Sequence, residues 1–237
     1  MKIFGIGMNY AAHTEELHSV LTNPEGAGAD PVVFTKCDSA MLIPGKPFFI
    51  PDHLGRIDYE AELVVRLCRL GKNISERFAH RYYDAVTVGI DFTARELQQQ
   101  ASRNGLPWTI SKGFDGSAAI GEWVPLSEEF RVKNEKFATA ISFRLDKNGE
   151  TVQRGSTAYM IHSIDQLISY ISRFFTLKTG DLIYTGTPVG VGPVAIGDHL
   201  EGWILNEEGG TRSEEGGMKR SALPLCSAKK VLDLYCR

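Results

Sequence analysis

The run Asp58-Tyr59-Glu60-Ala61-Glu62-Leu63-Val64-Val65-Arg66-Leu67 constrains this chain most. Leu63, Val64, Val65 and Leu67 are apolar and partly β-branched, so the run reads as a buried strand. Side chains alternate faces along a strand, which puts Glu60 and Glu62 on one side. Two like charges at the mouth of an apolar strand need compensation if they are buried. A hard divalent cation supplies it most simply, because Mg2+ and Ca2+ take oxygen ligands. The plainer reading of a Glu-x-Glu pair is a solvated strand end. A second feature weighs against that. Val86-Thr87-Val88-Gly89-Ile90 is another apolar strand, and it runs into Asp91, a third carboxylate at a strand terminus.

The remainder of the chain excludes several classes. Its 237 residues suit one large domain or two small ones. A net charge of −3 with no long basic run argues against nucleic acid as a partner. No apolar run approaches the roughly 20 residues of a membrane span, and residues 1–6 are too short an apolar stretch for a signal peptide. The cytoplasm is the default expectation. Cys37, Cys68, Cys226 and Cys236 make no Cys-x-x-Cys pair and read as thiols in a reducing compartment.

Taken in order, residues 2–7 read as a first strand. His13 and Glu16, three apart, share a face if a short helix forms. A carboxylate beside an imidazole orients it and raises its basicity, which suits a general base; a surface pair is the blander alternative. Residues 21–30, with Asn, Pro and Gly, read as a mobile loop. A short strand ends at Lys36, and the prolines of 41–52 make that stretch irregular. Ser75 caps a helix expected to reach about Ala85, and a second helix spans Ala94 to Ser102.

Lys112 follows apolar residues and precedes a glycine. It is either an ordinary surface lysine or a cation placed for an anionic substrate. Phe137 to Asp146 alternates as a strand. Lys147-Asn148-Gly149-Glu150 is a hairpin turn, and Thr151 to Arg154 returns. Ser163 and Gln166 form a capping-box pattern before a stripe of Ile164, Leu167, Ile168, Ile171 and Phe175. A strand at Leu182-Ile183-Tyr184-Thr185 leads into Gly186-Thr187-Pro188-Val189-Gly190-Val191-Gly192-Pro193. That loop lacks the ending of a P-loop, but its backbone N–H groups are able to approach a carboxylate. Residues 199–205 and 229–235 read as closing strands. Between them, 206–221 carries Glu-Glu-Gly-Gly twice and reads as a flexible insertion. The whole reads as one catalytic domain over 1–237, with 1–30 as strand and lid.

In this order the motifs resemble the fumarylacetoacetate hydrolase family. The resemblance rests on Asn9-Tyr10-x-x-His13, Glu60-x-Glu62, Asp91-Phe92-Thr93-Ala94-Arg95, the Pro107-Trp108 to Lys112 segment, and Gly180-Asp181-Leu182-Ile183-Tyr184-Thr185-Gly186-Thr187-Pro188. The segment Gly-Leu-Pro-Trp-Thr is most similar to the compact branch of acylpyruvases, oxaloacetate decarboxylases and 2-hydroxyhepta-2,4-diene-1,7-dioate isomerases. The resemblance implies an α+β, β-rich fold of packed sheets and rolled strands with a few peripheral helices, usually a homodimer. It implies Mg2+ or Mn2+ held by Glu60, Glu62 and Asp91. Lys112 is implied at the metal, His13 and Glu16 on a lid, and Arg95, Gln98 and Thr187 against a small 2-oxo or diketo acid.

The chemistry implied is an enolate, stabilised by a Lewis acid and by Lys112. Hydrolysis of a 1,3-diketo acid, with water activated by His13, is expected first. Isomerisation of a dienedioate comes second and decarboxylation of oxaloacetate third. A protein that binds the ion for structure alone is the reading from another class.

Overall fold

The computed structural model describes residues 1–11, 30–126, 140–205 and 228–237. His13, Glu16, the 1–30 lid beyond Ala11 and the 206–221 insertion lie outside these residues. Strand β1 (Ile3–Gly7) pairs antiparallel with β2 (Val32–Lys36) and parallel with β11 (Leu182–Tyr184). From β11 the sheet continues through β4 (Ala61–Leu67), β5 (Tyr83–Asp91) and β7 (Ala118–Ile120), all antiparallel, and β8 (Val124–Pro125) adds to β5. A bridge between Met41, just after β2, and Ala118 of β7 rolls this sheet back on itself.

A second sheet runs β10 (Glu150–Ser156), β9 (Ser142–Lys147), β13 (His199–Leu205) and β14 (Ala228–Tyr235). It packs on the outside of the roll. The two layers approach so closely at Gly202 that an added Cβ would meet Val88 Cγ1 at 2.8 Å. A small sheet joins β12 (Gly192–Pro193), β3 (Ile57–Tyr59) and β6 (Thr93–Ala94). The β-rich α+β expectation is met.

Strand β4 explains why the sequence run is continuously apolar. Leu63, Val65 and Leu67 join the main core with Val86, Val88 and Ile90 of β5. Val64 faces the other way, into a smaller cluster with Ile3, Ala118, Leu182 and Tyr184 inside the roll. A strand covered on both faces carries apolar residues on both. Glu62 has the parity of Val64, so it points into the roll.

The helices are peripheral. Helix α1 (Glu76–Ala79) is a single turn and does not reach Ala85. Tyr83 and Ala85 instead pair with Leu67 and Arg66, because strand pairing across β4 outweighs local helix preference. Helix α2 spans Arg95–Arg103, and α3 is the short Thr109–Gly113. Helix α4 (Ile164–Phe174) has the full capping box and buries Ile164, Leu167, Ile168 and Ile171. Phe175 falls just beyond the helix, where its ring lies 5.2 Å from that of Phe4. At the hairpin, Asn148 and Gly149 both have positive φ, 54° and 84°, as a two-residue turn of this hand requires.

Candidate active site

Glu60 stands between β3 and β4, Glu62 is the second residue of β4, and Asp91 is the last of β5. Adjacent antiparallel strands bring them together: Ala61 lies opposite Ile90, and the Asp91 N–H donates to the Glu60 carbonyl at 2.8 Å. One oxygen from each of the three carboxylates lies within 4.8 Å of the others. They are 5%, 1% and 0% exposed, so the solvated strand end is excluded.

Three cations serve this group. The Pro107-Trp108 turn launches α3, which turns Lys112 inward. Its ammonium donates to Glu60 Oε2 at 2.6 Å, Asp91 Oδ2 at 2.8 Å and Thr93 Oγ1 at 2.7 Å. Arg95, first in α2, reaches Glu60 Oε1 at 2.6 Å and Asp58 Oδ2 at 2.8 Å. Lys36 pairs with Asp91 Oδ1 at 2.7 Å. Lys112 is therefore buried and not a surface lysine. Burial works to lower its pKa, and the pull of Asp91 and Glu60 outweighs it, so the net direction is up. Burial lowers that of Lys36, against the pull of Asp91.

Glu62 differs from its neighbours. Its Oε2 accepts from the Gly186 N–H at 2.6 Å, and among the described residues no cationic side chain pairs with it. Burial first, then Asp91, pushes its pKa well up. Gly186 has φ 99°, and a Cβ there would meet Asn9 Cβ at 2.7 Å, so both conformation and space demand glycine. The loop thus brings a backbone N–H to a carboxylate, that of Glu62.

The three residues expected to meet substrate surround this group. Arg95 donates to Gln98 Oε1 at 2.5 Å, which ties the half-buried Gln98 to the site. The Thr187 hydroxyl donates to the Ala61 carbonyl at 2.8 Å and accepts from Gln153 Nε2 at 2.9 Å. Gln153 also accepts from the Ala61 N–H, which fixes the backbone between the two glutamates. Sequence reading passed over Lys36, Gln153 and Asp58. It placed Asn9 and Tyr10 in a motif without a role. Asn9 clamps the carbonyls of His162 and Thr185 and accepts from the His162 N–H. Burial and the nearby Glu62 both push the Tyr10 phenol pKa up.

The donor set is all oxygen, the set hard cations such as Mg2+, Mn2+ and Ca2+ prefer. Each carboxylate oxygen has two lone-pair positions, so the bonds to Lys112 and Arg95 leave room for a further partner. The charge of Glu62 is what a cation would neutralise. A second group, His199, Glu201 and Asp233 on the outer sheet, contrasts with this one. It holds its own cation, with Lys230 Nζ 2.9 Å from Glu201 and 2.8 Å from Asp233.

Residues 2–216 match the family described as fumarylacetoacetate (FAA) hydrolase C-terminal. The chain is 37% identical over 201 residues to the mitochondrial oxaloacetate tautomerase of Mus musculus, covering 84% of this chain and 85% of the relative. It is also 37% identical over 199 residues to the oxaloacetate tautomerase of Escherichia coli, covering 84% and 86%. Among solved structures it superposes on fumarylpyruvate hydrolase from Pseudomonas aeruginosa in complex with Mn2+ and pyruvate. There the TM-score is 0.74 and the identity 34%, over 86% of this chain and 84% of that one. The chain belongs to the fumarylacetoacetate hydrolase family of enzymes.

Proposed function

We propose that the protein is a divalent-metal enzyme that forms the enolate of a small 2-oxo acid, with keto–enol tautomerisation of oxaloacetate as its first reaction. The observation that carries this is the buried trio Glu60, Glu62 and Asp91 around the Lys112 ammonium, with no described cationic side chain in direct ion-pair contact with Glu62. These three carboxylates would hold Mg2+ or Mn2+, and Ca2+ shares their oxygen chemistry. When bound, the ion supplies Lewis-acid stabilisation of a developing oxyanion.

The chain's own residues do the rest. An ammonium between two carboxylates is a donor and a positive charge, not a base, so Lys112 stabilises the enolate oxygen and returns a proton to it. Arg95 supplies a second fixed charge beside Glu60, with Gln98 and Thr187 lining the acid's approach. A proton acceptor is still required, and His13 oriented by Glu16 is the candidate from the sequence. Tautomerisation needs only these proton transfers, and the mouse and E. coli relatives carry that name. Hydrolysis of an acylpyruvate or a related 1,3-diketo acid is the second reading, favoured by the fumarylpyruvate hydrolase structure. It needs an activated water in addition, and His13 is the residue for that step.

The test follows the enol absorbance of oxaloacetate, and pyruvate release from acylpyruvates, after EDTA and after readdition of Mn2+ or Mg2+. Metal-restored enol decay supports the proposal. Equal decay with and without the protein, on loaded enzyme, removes it and leaves a protein that holds the ion for structure. In His13→Ala, hydrolysis is expected to fall much further than any decarboxylation of oxaloacetate, which uses no water.

A further inference from the structure

Gln153 is buried, and none of the sequence motifs of the site contains it. A bulge brings it there. Thr151 and Gln153 are two apart and would share a face of β10. The ladder with β9 shifts between them, so that Thr151 lies opposite Asp146 and Gln153 opposite Leu145. The extra residue, Val152, reverses the alternation, as bulges do when they re-aim a side chain. Thr151 stays exposed and bonds Asp146, while Gln153 turns inward.

Both ends of its amide are used. Oε1 accepts from the Ala61 N–H at 2.9 Å, and Nε2 donates to the Pro188 carbonyl and to Thr187 Oγ1, both at 2.9 Å. A backbone N–H at one end and a backbone carbonyl at the other fix which end is oxygen. The single hydroxyl hydrogen of Thr187 goes to the Ala61 carbonyl at 2.8 Å. That closes a ring of three bonds, Ala61 to Gln153, Gln153 to Thr187 and Thr187 to Ala61. The ring takes the place of a strand. Ala61 has the parity of Leu63, whose carbonyl accepts from the Thr185 N–H, but β11 ends at Tyr184 and does not reach Ala61. Buried backbone groups need partners, and here two side chains supply them. The Ala61 N–H belongs to the peptide that follows Glu60, and the carbonyl of that same peptide is held by the Asp91 N–H. The Ala61 carbonyl belongs to the peptide that precedes Glu62. Both peptide planes between the two glutamates are therefore held, the first of them at both edges.

We propose that Gln153 is a positioning residue: through Ala61 it sets the directions in which Glu60 and Glu62 leave the backbone, and so the spacing at which the two meet a metal. The inference rests on the metal-dependent reading above. Partners one step behind the ligands govern metal affinity because they decide where the ligands stand before the ion arrives. Gln153 touches no carboxylate. It acts on the main chain that carries two of them. Thr187 is the other half of the ring, so the hydroxyl expected to meet an oxo acid also braces the metal ligands. A merely structural glutamine would lower stability and leave the metal affinity of the folded protein as it was.

The experiment titrates Mn2+ into metal-free protein by calorimetry, each variant well below its own melting temperature. Wild type, Gln153→Met, Thr187→Val, Thr187→Ser and the double variant Gln153→Met with Thr187→Val are compared. Gln153→Met is expected to weaken the Mn2+ Kd by about tenfold, the low end of what lost outer partners cost. Thr187→Val keeps the shape and drops the hydroxyl. A loss of about threefold is expected, because Gln153 keeps its bonds to Ala61 and Pro188. Thr187→Ser restores the hydroxyl and is expected to restore the Mn2+ Kd. Both residues act through one ring, so the double variant is expected to lose about tenfold, as Gln153→Met does alone, and not the product of the two losses. An unchanged Mn2+ Kd in folded Gln153→Met overturns the proposal, and so do losses that multiply. If Gln153→Met does not fold, Thr187→Val against Thr187→Ser decides, and equal Kd values for those two overturn the proposal. Failure of the wild type to bind Mn2+ is a different result and removes the metal reading itself.

Discussion

Glu62 is the side chain on which the proposed metal centre would depend most. Its neighbours share three cations, whereas Glu62 has one backbone N–H. Glu62→Gln keeps the shape and the Gly186 contact and deletes the charge. Metal affinity is expected to fall by about 10- to 100-fold, read by Mn2+ titration. Normal affinity after chelator treatment would show that Glu62 is no ligand. Lys112→Met is expected to lower turnover by on the order of 10²-fold, since one preorganised charge contact is lost. Its melting temperature should move less, because the thioether stem still fills the site beside Phe34, whose ring lies 5.3 Å from Nζ. Near-native turnover on every substrate would remove Lys112 from the mechanism. Glu60, Glu62 and Asp91 were legible in the sequence because strand parity and strand ends are local signals, whereas Lys112, on a short helix, stood there as one of two readings. Lys36 was not legible. Its partner carbonyl, that of Lys112, is 76 residues away, and only closure of the roll brings the two together.

Among the elements, α4 carries a titration unrelated to catalysis. Asp165, second in the helix, has its pKa raised from 3.8 to about 6, by burial first, with a bond from Tyr83 opposing and Glu76 adding. The folded form therefore holds this proton more tightly than the unfolded chain. The stability it contributes is present below about pH 4 and is lost as pH rises through 6. Asp165→Asn should remove that loss. At pH 7.5 it should be the more stable protein by on the order of 1–2 kcal/mol, a figure discounted for partial solvent access. Urea midpoints from pH 4.5 to 7.5 check this, and parallel curves for both proteins would refute it. Helix α4 was readable except at its end, where Phe175 falls outside it, because its cap and the rest of its stripe lie within a dozen consecutive residues. Helix α1 was misread because Glu76-Arg77-Phe78-Ala79 favours a helix, and nothing local reveals that β4 claims the residues after it.

At the scale of the whole molecule, a metal bound as proposed would be linked to the stability of the fold. A ligand bound at 100 times its Kd stabilises by about 2.7 kcal/mol, which for a domain of this size is roughly 5–10 °C in Tm. EDTA is expected to lower Tm by about that much in wild type and by far less in Glu62→Gln. An equal drop in both would place the stabilising ion elsewhere. Large apolar side chains also remain uncovered, Ile110 at 71% and Ile196 at 80% exposed. With the family expectation, this leads us to expect a homodimer, which sedimentation equilibrium checks; a monomer at micromolar concentration would refute it. Among the described residues no helix is long and apolar enough to cross a membrane.

The parallel pairing of β1 with β11 has a consequence in time. Ile3 lies beside Leu182, and the Lys2 N–H and ammonium both bind Asp181, 179 positions later. On the ribosome the first strand therefore waits for the eleventh before it has a permanent neighbour on that side. Glu60, Glu62 and Asp91 are all translated by then, before Gly186, whose N–H binds Glu62 in the finished fold. Contacts this distant in sequence slow folding. They also leave β1 and the acidic end of β4 without those partners until residues 182–187 have been made. Any variant that delays the emergence of residues 182–187 lengthens that window without altering one contact of the finished enzyme.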